Sequence, residues 1–145
     1  MATISRAPHL ASRLRLAVAR TARRLRQEAG GGLSPTLTAA LASIENHGPL
    51  TPSELADRER VKRPTATRLI GTLEEAALVT RTADISDRRS SLIAITPAGR
   101  ELMRTLRTRK DAYLAQRLSK LTAEERETLA RAADLLERLL EEDPA

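Results

Sequence analysis

The chain contains no cysteine, no tryptophan and no phenylalanine, and Tyr113 is its only aromatic residue. Without cysteine, the chain cannot form a disulfide, a thiolate nucleophile, a thiol redox sensor or a cysteine-based zinc site. Two histidines, His9 and His47, are too few for a histidine-rich metal centre. Because single-stranded nucleic acids and quaternary ammonium ligands are bound on aromatic faces, one tyrosine also argues against those two binding functions. We predict no metal site and no cofactor.

Long apolar runs are also missing. No stretch approaches the roughly 18–20 apolar residues that a membrane-spanning helix needs. Arg13, Arg15 and Arg20 interrupt each apolar run near the N-terminus, which excludes the hydrophobic segment of a secretory signal. Residues 1–27 hold seven arginines and no acidic residue, a composition that resembles an arginine-rich transit peptide. Their apolar residues recur at spacings of three and four residues, however, which favours an amphipathic helix. We expect a cytoplasmic protein without a membrane partner.

The size and charge of the chain are those of a small basic domain. It has 145 residues, of which 41% are hydrophobic, enough for one hydrophobic core. Its 25 basic and 19 acidic residues give a net charge of +6, and residues 1–28 alone, with seven arginines and one glutamate, account for that excess. A basic balance agrees with binding to duplex phosphate or another anionic surface, and equally with ordinary solubility.

Proline, glycine and capping residues divide the chain into six helices and one hairpin. Pro35, Pro52, Pro64 and Pro97 each stand where a first helical turn is expected, and the glycines at 30–32 suit a helix end. The predicted helices are one ending before residue 30, then 35–46, 52–59, 64–76, one from 97 and one from 122. The predicted strands are 78–82 and 92–95. The predicted fold class is mainly α, a winged helix-turn-helix with a small two- or three-stranded β-wing and further helices before and after it.

The predicted helix 64–76 has one apolar and one polar side. Apolar residues recur at i, i+3, i+4 and i+7, at Ala66, Leu69, Ile70 and Leu73. Opposite them lie Thr65, Arg68 and Thr72, with Thr67 beside them. A helix of this length fits the major groove of DNA, where an exposed polar face reaches base edges. Lys62 or Arg63, near the helix start, suit phosphate contacts.

A polar stretch, residues 84–91, separates the two predicted strands and is consistent with a long hairpin loop. This hairpin can place Arg88 or Arg89 in the neighbouring minor groove, where the negative potential is focused if the groove is narrow. A pair of charges at a hairpin tip can also be merely solvated. Its position directly after a helix-turn-helix favours the DNA-binding interpretation.

Residues 51–99 resemble the winged helix-turn-helix of MarR-type transcription regulators. The matching pieces are Thr51-Pro52-Ser53-Glu54-Leu55-Ala56, Arg63-Pro64-Thr65-Ala66-Thr67-Arg68-Leu69-Ile70, Leu73-Glu74 with Leu78-Val79-Thr80-Arg81, Asp87-Arg88-Arg89 and Thr96-Pro97-Ala98-Gly99. The helices before and after this stretch match the layout of that family, so the resemblance covers nearly the whole chain.

The resemblance implies a homodimer in which residues 1–33 and 97–145 form the helical dimerisation region and residues 34–96 the DNA-binding region. It implies a pseudo-palindromic operator in double-stranded DNA, repression of nearby genes, and release by a small aromatic or anionic ligand bound between the domains. It also implies that Asp87 holds Arg89. By motif position the DNA-binding residues are Lys62, Arg63, Pro64, Thr65, Thr67, Arg68, Thr72, Asp87, Arg88, Arg89 and Ser90.

The chain departs from the family at Ala77, where a glycine is common as the left-handed cap of the reading helix. Either Ala77 adopts the left-handed conformation, at a cost of order 1 kcal/mol, or the helix ends differently. Two other classes of function are weighed against a repressor. One is a winged-helix architectural protein with little sequence preference and no effector. The other is an enzyme, for which the sequence offers no phosphate loop, no Gly-x-Ser-x-Gly motif, no cysteine–histidine pair and no metal cluster.

Overall fold

The computed structural model describes residues 7–86 and 89–141, and in them the predicted six helices and the hairpin are present. Element boundaries lie within one or two residues of those predicted. The helices are α1 (Ala7–Ala29), α2 (Pro35–His47), α3 (Pro52–Glu59), α4 (Arg63–Glu75), α5 (Pro97–Leu118) and α6 (Ala123–Glu141). The strands are β1 (Val79–Ala83) and β2 (Ser91–Ile95), which pair antiparallel.

Hydroxyl side chains begin four of the helices, as the capping pattern predicted. The hydroxyls of Ser34 and Thr96 each accept a hydrogen bond from a backbone N–H three residues on, at 3.2 and 3.1 Å. Thr51 and Thr122 form full capping boxes in which a glutamate three residues later also accepts from the threonine's backbone N–H. These bonds satisfy N–H groups that have no partner inside the helix, and they start each helix at a definite residue.

The hydrophobic core lies among α2, α3, α4, the sheet and the first turns of α5. Its largest fully buried side chains are Leu41, Ile44, Leu55, Ile70, Leu73 and Ile93. Among the described residues no polar or charged side chain is buried with them. Burial of each such side chain stabilises the fold by about 1.5–3 kcal/mol. The core therefore holds the predicted reading helix rigidly against the hairpin.

The first and last helices leave apolar side chains in solvent. α1 packs along α5 but buries only Ala29, and no residue of α6 is buried. Leu10 is 59% exposed on α1, and Leu139 is 62% exposed on α6. The apolar stripes predicted for these two helices are present, but a single copy of the chain does not cover them.

Glycines connect α1 to the rest of the molecule. Gly30, Gly31 and Gly32 have φ values of 66°, 95° and 75°, which is the left-handed conformation that the sequence predicted for this connector. A Cβ atom on Gly31 would lie 2.5 Å from Cδ2 of Leu106 on α5. Glycine at this position therefore allows the chain to pass close to α5 before α2 begins. None of the helices in the described ranges has the length and hydropathy needed to cross a membrane.

Candidate nucleic-acid interface

A tight turn joins α3 to α4. Arg60, which ends α3, is left-handed at φ 53°, and its N–H donates to the carbonyl of Asp57 at 3.3 Å. The N–H of Val61 donates to the Ala56 carbonyl at 3.0 Å, and the Val61 side chain packs against the core. This arrangement turns the chain within three residues, so α3 and α4 form a helix-turn-helix.

The two sides of α4 differ as the periodicity predicted. Ala66, Leu69, Ile70 and Leu73 are all buried, with at most 8% of their surface exposed. On the other side Thr67, Arg68 and Thr72 are exposed, and the Thr72 hydroxyl donates to the Arg68 carbonyl at 3.1 Å. Thr65, which the sequence assigned to the polar side, is half-buried at the edge between them. The exposed side of α4 is thus a short polar surface on a rigid helix.

The start of α4 is basic and open. Lys62, the residue before the helix, makes no side-chain capping bond, and the first turn contains no acidic residue. Lys62, Arg63 and Pro64 are exposed. Two cationic side chains and the positive end of the helix dipole therefore lie together, an arrangement that attracts phosphate.

Of the two conformations considered for Ala77 at the end of α4, the left-handed one is observed. This residue is left-handed at φ 61°, although it is not glycine. Its N–H donates to the Glu74 carbonyl at 2.9 Å, and the N–H of Leu78 donates to the Leu73 carbonyl at 3.0 Å. Both bonds belong to a Schellman motif, in which a left-handed residue closes the helix. Ala77 therefore takes the conformation usual for glycine, and the helix ends at its normal place.

The hairpin after α4 forms the wing. Its register runs from Val79 opposite Ile95 to Ala83 opposite Ser91. Leu50, which precedes α3, exchanges two backbone hydrogen bonds with Ile93, of 2.9 and 2.7 Å. The predicted two- or three-stranded wing is therefore a two-stranded sheet with one additional bridge that ties it to the helix-turn-helix.

The tip of the wing carries Arg89. The backbone N–H of Asp84 donates to the Ser90 carbonyl at 3.2 Å and closes the hairpin. Arg89 is exposed and Ser90 is half-buried. The predicted Asp87 and Arg88 lie outside the described residues, and so does the predicted contact between Asp87 and Arg89. Ile85 is 98% exposed in the same loop.

Sequence reasoning missed Arg81, which links the reading helix to the wing. From β1, its Nε lies 3.4 Å from Oε2 of Glu74 at the end of α4, and its Nη1 donates to the Ser91 hydroxyl on β2 at 3.3 Å. Glu74 and Arg81 are seven residues apart and on different elements, so no helical or strand periodicity indicates that they meet. The contact links the end of α4 to both strands of the wing.

The described residues contain no group of three or more histidine and acidic side chains that could hold a metal ion. The interface consists instead of the exposed side of α4, the basic start of that helix and the wing tip. These three parts lie on consecutive elements, α4, β1 and β2, that share one core.

Comparison with known proteins identifies this architecture. The MarR family model matches residues 33–91. An HTH-type transcriptional regulator of Mycobacterium tuberculosis is 39% identical over 136 residues, which cover 93% of this chain and 95% of that protein. The HTH-type transcriptional repressor MdtR of Bacillus subtilis is 35% identical over 94 residues, which cover 65% of this chain and 61% of MdtR.

A crystal structure from Pseudomonas aeruginosa, of a protein classed as a transcriptional regulator, superimposes with a TM-score of 0.84. It is 32% identical in sequence, and the superposition covers 94% of this chain and 97% of that one. Fold, helix-turn-helix geometry and sequence therefore agree. The chain belongs to the MarR family of winged helix-turn-helix transcription regulators, which bind DNA and are not enzymes.

Proposed function

We propose that this chain is a repressor that binds, as a homodimer, a pseudo-palindromic operator in double-stranded DNA. The observation that carries the proposal is the exposed polar side of α4, held by an apolar core beside a wing that ends in Arg89. The relative MdtR, a transcriptional repressor by name, supports the direction of regulation. In this arrangement the two α4 helices of a dimer enter successive major grooves, one turn of DNA apart.

Each part of the interface has its own task in the proposal. Arg68 and Thr67 read base edges from the exposed side of α4, while Thr65 and Thr72 flank them at the groove wall. Phosphates are contacted by the start of α4, at Lys62, Arg63 and Pro64. The wing enters the minor groove with Arg89, which Asp87 holds, while Arg88 and Ser90 contact the groove or the backbone.

The base-reading role of Arg68 is tested by Arg68→Ala, with operator fragments first selected from genomic DNA. A bidentate arginine–guanine contact is worth about 1–3 kcal/mol, so the variant loses about ten- to a hundredfold in operator affinity and relaxes its preference at one base step per half-site. Arg104→Ala is the matched control, because Arg104 is an exposed arginine on α5 that pairs with Glu101. Unchanged operator affinity in Arg68→Ala removes Arg68 from the reading surface.

The wing is tested separately by Arg89→Ala. Loss of one cation from the minor groove lowers affinity for operator and for unrelated DNA, and reduces the slope of log affinity against log salt by about one phosphate equivalent. The slope is measured by titration at several salt concentrations beside Arg104→Ala. If affinity and slope both equal those of the unmodified protein, the wing does not contact DNA.

Dimerisation is supported by the uncovered faces of α1 and α6. Both helices expose leucines, including Leu16 at 42% on α1 and Leu135 at 52% on α6. Their charges are opposite, since α1 carries six arginines and one glutamate whereas α6 carries six acids and three arginines. In a homodimer, α1, α5 and α6 of the two copies, within the proposed dimerisation region of residues 1–33 and 97–145, cover these faces mutually. Residues 34–96 of each copy are then left free to bind DNA.

Sedimentation measures this assembly directly. The expected result is a species of twice the 15.9 kDa chain mass at micromolar concentration. Leu135→Gln combined with Leu139→Gln removes apolar contact from the α6 face and shifts the equilibrium toward monomer. Asp134→Asn, a change at an exposed residue on the polar side of the same helix, leaves it unaltered. A stable monomer of the unmodified chain at these concentrations refutes the homodimer.

Two measurements separate a regulated repressor from an architectural DNA-binding protein. A repressor binds its operator at least about a thousandfold more tightly than unrelated DNA at physiological salt. It also lowers transcription from a reporter that carries the operator, and a small aromatic or anionic ligand releases it. A specificity ratio near one, with no effect on the reporter, assigns the chain to the architectural class instead.

A further inference from the structure

Ile85 is the most exposed large apolar side chain in the described parts of the chain, with 98% of its surface open to solvent. Eight large apolar side chains are exposed in those parts, and the other seven lie on α1 or α6. The proposed homodimer covers faces of α1 and α6, but the wing lies outside the dimerisation region. Within the described ranges, Ile85 is therefore the one exposed large apolar side chain that neither the core nor the proposed dimer explains.

The turn around Ile85 uses its polar groups internally. The Asp84 carboxylate accepts hydrogen bonds through Oδ1 from the Ser86 N–H at 3.0 Å and from the Ser86 hydroxyl at 2.7 Å. These bonds form an Asx turn with Ile85 at its centre. Because the two donors of Ser86 are used within the loop, Ile85 supplies the surface that this arm of the wing presents.

Ile85 and Arg89 occupy equivalent positions on the two arms of the hairpin. The sheet register ends with Ala83 opposite Ser91, and the hydrogen bond that closes the hairpin extends this register by one pair. Ile85 and Arg89 each lie one residue beyond that bond, and both are exposed. The tip of the wing therefore carries a hydrocarbon on one arm and a cation on the other.

The floor of the DNA minor groove distinguishes base pairs by a single donor. A·T and T·A pairs present only acceptors there, whereas a G·C pair adds the amino group of guanine. An aliphatic side chain has no acceptor for this amino group, so its N–H loses water without gaining a partner. A buried donor without a partner weakens binding by about five- to a hundredfold. An isoleucine in the groove thus selects against G·C without any hydrogen bond to a base.

We propose that Ile85 is a specificity-determining residue of the wing, which packs on the floor of the minor groove beside Arg89 and excludes G·C pairs at that position. Arg89 responds to the negative potential of a narrow groove, whereas Ile85 responds to the amino group itself. This role rests on the proposed entry of the wing into the minor groove. It adds a base preference at positions that α4 does not contact.

Base analogues test this preference with the full chain and a selected operator. 2,6-Diaminopurine opposite thymine adds the minor-groove amino group to an A·T pair, and inosine opposite cytosine removes it from a G·C pair. Both analogues keep the major-groove donors and acceptors that α4 reads. With each A·T pair replaced in turn, we expect the added amino group to weaken binding about tenfold at the wing position of a half-site. Inosine·cytosine at that position binds about as tightly as A·T.

Variants assign the preference to one side chain. Ile85→Asn has a similar size but offers an oxygen that accepts from the amino group, so it loses most of the tenfold penalty. Ile85→Val stays aliphatic and keeps the penalty. Both variants fold, since Ile85 lies outside the core. Arg89→Ala is the control for groove width: it binds every operator more weakly but keeps the same ratio between the two base pairs.

Three results overturn the proposal. The added amino group has no effect at any position, Ile85→Asn retains the penalty, or Arg89→Ala abolishes it. In the third case the groove width sensed by Arg89 sets the preference. If selection yields no operator, the proposed repressor function fails, and the same comparison on an unrelated A·T-rich duplex still decides whether Ile85 excludes the amino group.

Discussion

Replacing Ala77 by glycine removes the conformational strain of an alanine in the left-handed conformation. At φ 61° the Cβ of alanine crowds the following carbonyl, which costs about 1–2 kcal/mol. Glycine has no Cβ, but its unfolded chain has more freedom, which offsets about 0.5–1 kcal/mol of the gain. We therefore expect Ala77→Gly to increase the free energy of unfolding by about 0.5–1 kcal/mol. For a chain of this size, that raises Tm by about 1–4 °C.

The neighbouring alanine is a matched control. Ala76 is also exposed, but its φ of −81° and ψ of 2° are allowed for any residue. Ala76→Gly therefore gains no relief and loses about 0.5–1 kcal/mol through the greater freedom of the unfolded chain. Two adjacent alanine-to-glycine changes should alter stability in opposite directions.

Denaturant unfolding of both variants at one protein concentration measures the difference, since the stability of a dimer depends on concentration. Operator affinity should stay unchanged in Ala77→Gly, because the backbone of this residue keeps its bond to Glu74 and its carbonyl still accepts from the Thr96 hydroxyl at 2.7 Å. Strain at Ala77 is contradicted if Ala77→Gly is no more stable than the unmodified chain, or if the two variants change stability in the same direction.

Two further predictions concern α5 and α6. In Gly99→Ala the new Cβ would overlap the carbonyl oxygen of Leu78 and lie 2.7 Å from Cγ1 of Ile95, so we expect a loss of about 1–3 kcal/mol in unfolding free energy by denaturant titration. Hydrogen bonds with the Thr122 backbone N–H and hydroxyl lower the pKa of Glu125 below 4.5 in the folded chain. The ionised carboxylate therefore stabilises the fold above about pH 4.5, and this contribution is lost as the pH falls through the pKa that Glu125 has in the folded chain. Glu125→Gln should therefore be less stable than the unmodified chain at neutral pH but not in acid, where a persisting difference would contradict the assignment.

The helices were predictable because their signals are local. A hydroxyl followed by proline is typical of a helix start, and apolar residues spaced by three and four show which side of that helix faces the core. Helix α4 followed from its first-turn proline and its apolar spacing, including its polar side with Thr67 and Arg68. The half-buried position of Thr65 did not follow, because it depends on how closely neighbouring elements approach that edge of the helix.

Contacts between distant residues needed the tertiary structure. The link from Arg81 to Glu74 forms only because the turn at Ala77 folds β1 back along α4. The cluster of Arg24 and Arg117 on Tyr113 joins residues up to 93 positions apart, since α1 and α5 pack side by side. No periodicity within one helix indicates such a meeting.

Which segments become helices, where they begin and which side of each is apolar all follow from the sequence, and so does the exclusion of cysteine chemistry. These properties depend on neighbours in the chain, through capping bonds, φ preferences and spacing. Only the folded chain shows that Ala77 takes the left-handed conformation, that the apolar stripes of α1 and α6 stay uncovered within one copy, and that Arg24 and Arg117 meet at the single tyrosine. These depend on the packing of distant elements, which fixes backbone angles and brings like charges together where no local pattern would place them.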